Sequence, residues 1–293
     1  MRIAMILAIV AALVVFGALA APHIPTGAER VMRDVTYNTI DGVNLKMDIY
    51  YPQTDSSSYP VVMYVHGGGW TSGSKSSGAG MRDVPTLLDH GYAVASIDYR
   101  LAPRWKFPAQ IEDVKCAVRY LRVNAEELKI DPDHIGTYGG SVGGHLVTLL
   151  GTSSDDLFGG DCPWPGSARV QAVVDMFGSA DFSLFDFSGF SVAERVFGVS
   201  ESSDPIFTQA SPVTWVSPDD PPFLILHGDK DTIVPLSQSQ SLYDHLQAAG
   251  VPVELVVVKN AGHGFKPTGG RIDPSRSDIS EMIASFFDRW LKG

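Results

Sequence analysis

Between residues 134 and 150 the chain passes from strand to helix through one tight turn. That passage restricts the fold more than any other stretch. His134-Ile135-Gly136-Thr137-Tyr138-Gly139-Gly140-Ser141-Val142-Gly143-Gly144-His145 reads as a short strand, a turn at Ser141, and a helix to about Leu150. Gly139, Ser141 and Gly143 spell G-x-S-x-G, the pattern of a nucleophile elbow. A serine at the tip of such a turn is held in a strained conformation, and bulky neighbours two positions away would clash. The arrangement exposes a hydroxyl at a helix N-terminus, where backbone N–H groups face developing negative charge. Taken alone, the pentapeptide also fits a Gly/Ser-rich loop, so the decision rests with the remainder of the chain.

That remainder alternates. Residues 31–37 and 43–50 alternate apolar and polar side chains around Asp41-Gly42, which predicts an antiparallel hairpin at a sheet edge. Residues 60–66, 92–98, 170–177, 222–227 and 253–258 are nearly continuous apolar runs, as expected of strands buried on both faces. Helical spacing falls between them, over about 82–90, 109–126 and 236–249, and again over 275–292, where Ile279, Met282, Ile283 and Phe286 are the expected buried stripe. Solid apolar strands alternating with helices imply an α/β fold, with a mainly parallel central sheet and helices on both faces. Residues 178–215 break the rhythm, crowding aromatics between Asp181 and Phe190 without a clean period. They read as a short cap-like insertion over the carboxyl end of the sheet, where open α/β sheets bind ligands. No internal repeat or linker divides residues 21–293, so a single domain is expected.

The N-terminus is of another kind. Met1-Arg2 precedes an apolar run from Ile3 to Ala20, and Ala18-Leu19-Ala20 fits a small-x-small cleavage site. Residues 1–20 therefore read as a secretory signal peptide, the alternative being an uncleaved anchor. Export to the periplasm or the medium is expected, with no stable membrane association after cleavage. The formal charge is −11 with no cluster of Lys and Arg, which argues against a nucleic-acid partner. Cys116 and Cys162 are the only cysteines. They form no C-x-x-C pair, so a zinc or thioredoxin-like site is not indicated. In an oxidising compartment they are a candidate disulfide, with two unpaired thiols as the alternative.

A nucleophile elbow requires three companions. An oxyanion hole needs a glycine-rich turn after an early strand, and His66-Gly67-Gly68-Gly69-Trp70 follows one. The N–H groups of Gly67, Gly68 and Val142 are the candidate donors. A general base must come from a late loop, and His263 lies between glycines just after the last strand. An acid must orient it. His227-Gly228-Asp229-Lys230-Asp231 offers two carboxylates, of which Asp231 is chosen and Asp229 held in reserve. The chain order Ser141, Asp231, His263 is that of this fold.

These motifs together resemble the carboxylesterases of the α/β-hydrolase fold over about residues 33–292. His66-Gly67-Gly68-Gly69-Trp70, Asp98-Tyr99-Arg100-Leu101-Ala102-Pro103 and Gly139-Gly140-Ser141-Val142-Gly143-Gly144 resemble the hormone-sensitive-lipase-like esterases. Val173-Val174-Asp175-Met176-Phe177-Gly178 and His227-Gly228-Asp229-Lys230-Asp231 are more similar to the bacterial feruloyl-esterase-type branch, BD-FAE. The resemblance implies a serine carboxylesterase with Asp231 as triad acid, acting through an acyl-enzyme without metal or organic cofactor. Its substrate would be a small-molecule or oligosaccharide ester, such as an acetyl or feruloyl ester of a plant polysaccharide. The family usually has alanine after the nucleophile. Val142 departs from that and is expected to crowd the acyl side.

Other residues have plainer readings. His145 follows Ser141 by one helical turn and reads as a core or hydrogen-bonded histidine. His66 and His227 end buried strands and read as loop braces. Asp98 and Arg100 read as a structural ion pair fixing their turn. Trp70 and Phe177, beside motif residues, are the candidate pocket walls, whereas the aromatics of 182–190 read as cap core. Two rival functions remain: a serine peptidase of the same fold, which usually carries a large gating domain, and a binding protein on a hydrolase scaffold, which typically lacks a triad member.

Overall fold

The computed structural model describes residues 25–185, 192–199, 201 and 203–293. The expected signal segment, residues 1–20, lies outside them, as do Phe187 and Phe190 of the expected cap. No helix among the described residues is long and apolar enough to cross a membrane.

Strands β1 (Arg30–Ile40) and β2 (Val43–Tyr51) form the antiparallel hairpin expected from their alternation, turning at Asp41-Gly42, both with positive φ. The strands β3 (Tyr59–Val65), β4 (Ala93–Ile97), β5 (Ile130–Gly140), β6 (Ala172–Met176), β7 (Phe223–Gly228) and β8 (Val253–Val258) follow. The eight make one sheet in the order β1-β2-β4-β3-β5-β6-β7-β8. β2 meets β4 antiparallel, and every later pairing is parallel. This is the α/β-hydrolase topology. β5 lies in the middle, so the turn that ends it opens near the centre of the carboxyl edge.

Helices cover both faces. α1 (Val84–Asp89) and α7 (Arg276–Leu291) bury their apolar stripes on one side. α2 (Ala109–Val123), α4 (Val142–Thr152) and α6 (Ser237–Ala248) bury theirs on the other. The one-turn α3 (Ala125–Leu128) leads into β5, and α5 (Pro205–Ala210) belongs to the irregular segment. α7 starts at a capping box, with Ser275 and Asp278 exchanging side chain-to-backbone hydrogen bonds. Its buried stripe differs from expectation by one position. Met282 is 38% exposed, whereas Phe287 is fully buried with Ile279 and Ile283. The i, i+4, i+8 row points at the sheet and leaves residue 282 on its flank. Phe287 packs where β5 has Gly136, whose missing Cβ would lie 2.6 Å from the ring.

The long connection from α4 to β6 has no regular structure of its own and is held from α2. Lys115, Arg119 and Arg122 recur at helical spacing on that helix. Lys115 Nζ donates to the carbonyls of Ser154 and Leu157 at 2.6 and 2.7 Å. Arg119 donates to Asp155, Gly159 and Gly166, and Arg122 to Pro132, Ser167 and Arg169. Most of these carbonyls lie in the connection itself, where no strand or helix takes them up. Burial pushes the Lys115 ammonium down to about 8. On the same helix Cys116 is disulfide-bonded to Cys162 in the held loop.

The bridge closes a loop across a sequence separation of 46. Replacing both cysteines by serine is expected to lower the unfolding free energy by about 2–4 kcal/mol, measured by denaturant titration. Mass spectrometry of the non-reduced protein should show no alkylatable thiol.

Candidate active site

Ser141 stands between β5 and α4 with φ 59° and ψ −121°, outside the regions L-residues favour. The flanking glycines are there for close approach. A Cβ on Gly143 would lie 2.0 Å from the Val65 carbonyl oxygen, and one on Gly139 would lie 2.4 Å from the Gly143 carbonyl carbon. The Ser141 N–H donates to Met176 O at 2.9 Å, which ties the turn to the neighbouring strand.

Two late loops meet it there. The Ser141 hydroxyl donates to His263 Nε2 at 3.0 Å, and His263 Nδ1 donates to Asp231 Oδ2 at 2.7 Å. The other oxygen of Asp231 accepts the N–H groups of Ile233 and Val234 at 2.9 and 3.0 Å. Burial raises the Asp231 carboxyl, but the His263 hydrogen bond and the two backbone donors outweigh it and hold it below its ordinary value. Of the two candidate acids, Asp231 is the one hydrogen-bonded to His263. Asp229 accepts from Ala261 N at 3.3 Å and pairs with Lys230 at the surface, away from the imidazole.

The glycine-rich turn after β3 lies against this serine. A Cβ on Gly67 would sit 2.8 Å from Gly140 O and 3.4 Å from Ser141 Cβ. Gly68, at φ 128°, has no room for one beside Ser72 O, 2.1 Å from the Cβ position. The third glycine, Gly69, lines the cavity above the serine.

That cavity has a volume of about 430 Å³ and contains Ser141. Its wall combines Trp70 and Val142 with Phe182, Leu184, Phe185 and Val192 from the irregular segment, and Ile233, Val234 and Pro235 from the Asp231 loop. Ser179 completes it. Trp70 is therefore a wall residue, as expected, but Phe177 is not. Its ring is buried behind His263, centroids 5.0 Å apart, and against Phe265 at 4.8 Å. A φ of 46° turns it under the histidine instead of into the opening. Phe182 and Phe185 line the cavity instead, so the assignment of these two solely to cap core is corrected. Phe182 serves both, since it also packs with Phe197 and Phe207. The Asp231 loop carried a readable signal, an apolar Ile233-Val234-Pro235 directly after the acid. The cap residues carried none, because their contacts follow no period.

His145, His66 and His227 are braces. His145 Nε2 donates to Ala210 O at 2.8 Å, and burial pushes its imidazole down to about 4, so it stays neutral. His66 Nδ1 donates to Gly67 O, and its ring stacks on Tyr99. His227 sits between Ser239 Oγ and Val234 O. Asp98 and Arg100 do not pair with each other. Asp98 accepts the Lys75 N–H at 2.8 Å, and Arg100 is clamped by Asp113, with Nε 2.9 Å from both carboxylate oxygens. Among the described residues no three His, Cys, Asp or Glu side chains gather as metal ligands would.

The BD-FAE family profile matches residues 47–246, more than half of the chain. The chain belongs to the BD-FAE family. This BD-FAE protein is 33% identical over 236 residues to esterase LipC of Mycobacterium tuberculosis, covering 76% of this chain and 58% of LipC. It is 30% identical over 266 residues to the ethyl acetate hydrolase of Pseudomonas putida, covering 85% of this chain and 80% of that protein. The chain thus spans little more than half of LipC, and 56% of the mycobacterial LipM. Among solved structures, a truncated carbohydrate esterase from gut microbiota superposes with a TM-score of 0.78 at 28% identity, over 91% of this chain and 98% of that one. The butyrate-bound esterase 2 of Thermogutta terrifontis gives 0.73 at 26% identity, over 90% and 94%.

Two outcomes are expected. Asp231→Asn should lower kcat on an activated ester by roughly 10⁴, whereas Asp229→Asn should stay within about threefold of wild type, both read by steady-state kinetics. The second concerns Asp175, fully buried under the elbow, where burial pushes its carboxyl from 3.8 up to about 7. The native state then holds a proton that the unfolded chain releases between those values. Its contribution is fully present below about pH 4 and lost as pH rises toward about 7. Asp175→Asn should remove that part of the stability–pH slope, as read by thermal melts from pH 4 to 8.

Proposed function

We propose that this protein is a serine carboxylesterase acting on carboxylic ester bonds. The observation that carries the reading is the hydrogen-bonded series Ser141–His263–Asp231 opening into an apolar cavity. In this reading His263 Nε2 takes the Ser141 proton as the hydroxyl oxygen attacks the ester carbonyl carbon. Backbone N–H groups of Gly67, Gly68 and Val142 hold the oxyanion. Collapse of the tetrahedral intermediate breaks the carbon–oxygen bond, and His263 returns the proton to the leaving alcohol. Water, deprotonated by the same imidazole, attacks the acyl-enzyme, and Ser141 is regenerated. Asp231 keeps Nδ1–H oriented and stabilises the imidazolium.

The relatives point the same way, since those named above are described as esterases or ester hydrolases. All three triad positions are filled, which favours an enzyme over a binding protein on this scaffold.

For substrate, we infer water-soluble esters of short acyl chains, acetyl to about butyryl. Val142 forms part of the wall beside Ser141 and takes up acyl space. An acetyl or feruloyl ester of a plant polysaccharide is the natural target suggested by analogy with the carbohydrate esterase neighbour. The apolar N-terminal run supports export to the periplasm or medium, where such a polymer would be met.

A fluorophosphonate probe should label wild type and not Ser141→Ala; equal labelling of the variant would overturn the assignment. With p-nitrophenyl esters of graded length, kcat/KM should rise while added methylenes find apolar wall and fall once the space is full. A continued rise through decanoyl would contradict the short-chain assignment. Hydrolysis of peptide amides but not esters would favour the peptidase reading.

A further inference from the structure

β6 carries four apolar residues and one carboxylic acid. Ala172, Val173, Val174 and Met176 are fully buried, and so is Asp175. Burying a carboxyl on a central strand is costly without full hydrogen bonding, and here only one oxygen is satisfied. Asp175 Oδ1 accepts the Gly178 N–H at 2.9 Å, while Oδ2 has no partner among the described residues. The surroundings are shaped to admit this group. A Cβ on Gly144 would lie 2.2 Å from Asp175 Oδ1, and a Cβ on Gly178 would lie 2.4 Å from it. The carboxyl therefore fills the gap between the first turn of α4 and the chain leaving β6.

Two of the three residues after Asp175 touch the partners of the Ser141–His263 hydrogen bond. Met176 O accepts the N–H of Ser141 itself. Phe177 packs edge-on to the His263 ring and occupies the space above Gly140, where a Cβ would lie 2.9 Å from the phenyl. Gly178 N–H closes the turn back on Asp175. Phe177 holds a left-handed φ of 46°, a conformation that is strained for a residue with a Cβ and persists only when its surroundings enforce it.

We propose that Asp175 is a positioning residue for the Ser141–His263 pair, fixing through the 176–178 turn the placement of the hydroxyl relative to the imidazole. It touches no substrate. The hydrogen bond from Gly178 holds Phe177 in its left-handed conformation, and Phe177 holds the back of the His263 ring at the angle from which Nε2 meets Ser141 Oγ. The inference rests on the esterase reading above and adds to it a residue outside the triad.

The test compares Asp175→Ala, Asp175→Asn and Phe177→Leu with wild type, each normalised to the active sites titrated by a fluorophosphonate. Misplacing a reacting pair by about 1 Å costs on the order of 10²-fold. Asp175→Ala is thus expected to lose about 10- to 100-fold in kcat with KM within about threefold. Asp175→Asn keeps the acceptor oxygen for Gly178 and should recover kcat to within about threefold. Phe177→Leu leaves Asp175 in place and should lose about tenfold in kcat, which reads the same relay if Asp175→Ala does not fold. An Asp175→Ala enzyme that titrates fully and turns over at the wild-type rate overturns the proposal. So does an Asp175→Asn enzyme as slow as Asp175→Ala, because the acceptor would then be irrelevant. A wild type that neither labels nor hydrolyses esters removes the esterase reading, and this inference with it.

Discussion

A methyl group at residue 143 would lie 2.0 Å from the carbonyl oxygen of Val65, and the rest of the site depends on that space being empty. It lets the first turn of α4 press against the end of β3, leaving the turn at Ser141 no length to relax. The serine is held at φ 59° because its flanking segments are fixed, by β5 on one side and α4 on the other. The same close approach brings the glycine run after β3 against Ser141, with Gly67 and Gly140 too near for side chains. Strain at one residue is sustained by ordinary packing at many others.

Around that point the chain separates polar from apolar with little overlap. The polar line runs from Ser141 through His263 to Asp231 and ends on two backbone N–H groups. Asp231 can thus be buried as a carboxylate without a cationic side chain beside it, since its acceptor capacity is met by the ring and the backbone. The apolar wall comes partly from the same loop. Ile233 and Val234 give their N–H groups to Asp231 and their side chains to the cavity. Leu184 and Ile233, 50% and 66% exposed, mark the mouth. Part of the cavity wall and the hydrogen bonds that hold Asp231 therefore belong to one short stretch of chain. The cations of α2 act at a distance from this, holding the long loop behind α4 by its carbonyls.

Much of the molecule could be read without coordinates because its constraints are local and periodic. Solid apolar strands alternating with helices admit few topologies. A serine between closely spaced glycines, a glycine run after an early strand and a histidine after the last strand each have a local backbone reason. The errors came where the answer depends on which side of an element a residue meets. Met282 and Phe287 are both apolar on one helix, and only docking on the sheet separates them. Phe177 sits beside the motif in sequence, yet its φ of 46° places it behind His263. Phe182 and Phe185 lie in a segment without period, so nothing in their spacing signalled that they wall the cavity. Arg100 was paired with Asp98 by proximity in sequence, whereas α2 supplies Asp113.

Sequence alone thus determined the sheet-and-helix layering and the elbow turn, and marked Ser141 and His263 as candidates, since each pattern is imposed by backbone geometry within a few residues. Tertiary structure brought Asp231 and not Asp229 against His263, chose the cavity walls, and set Asp175 against the first turn of α4 and the turn leaving β6. Those choices depend on distances between segments far apart in the chain, such as Trp70 and Pro235 in the cavity wall, which no local pattern encodes. They are fixed only when the strands align and their carboxyl ends come to share one edge.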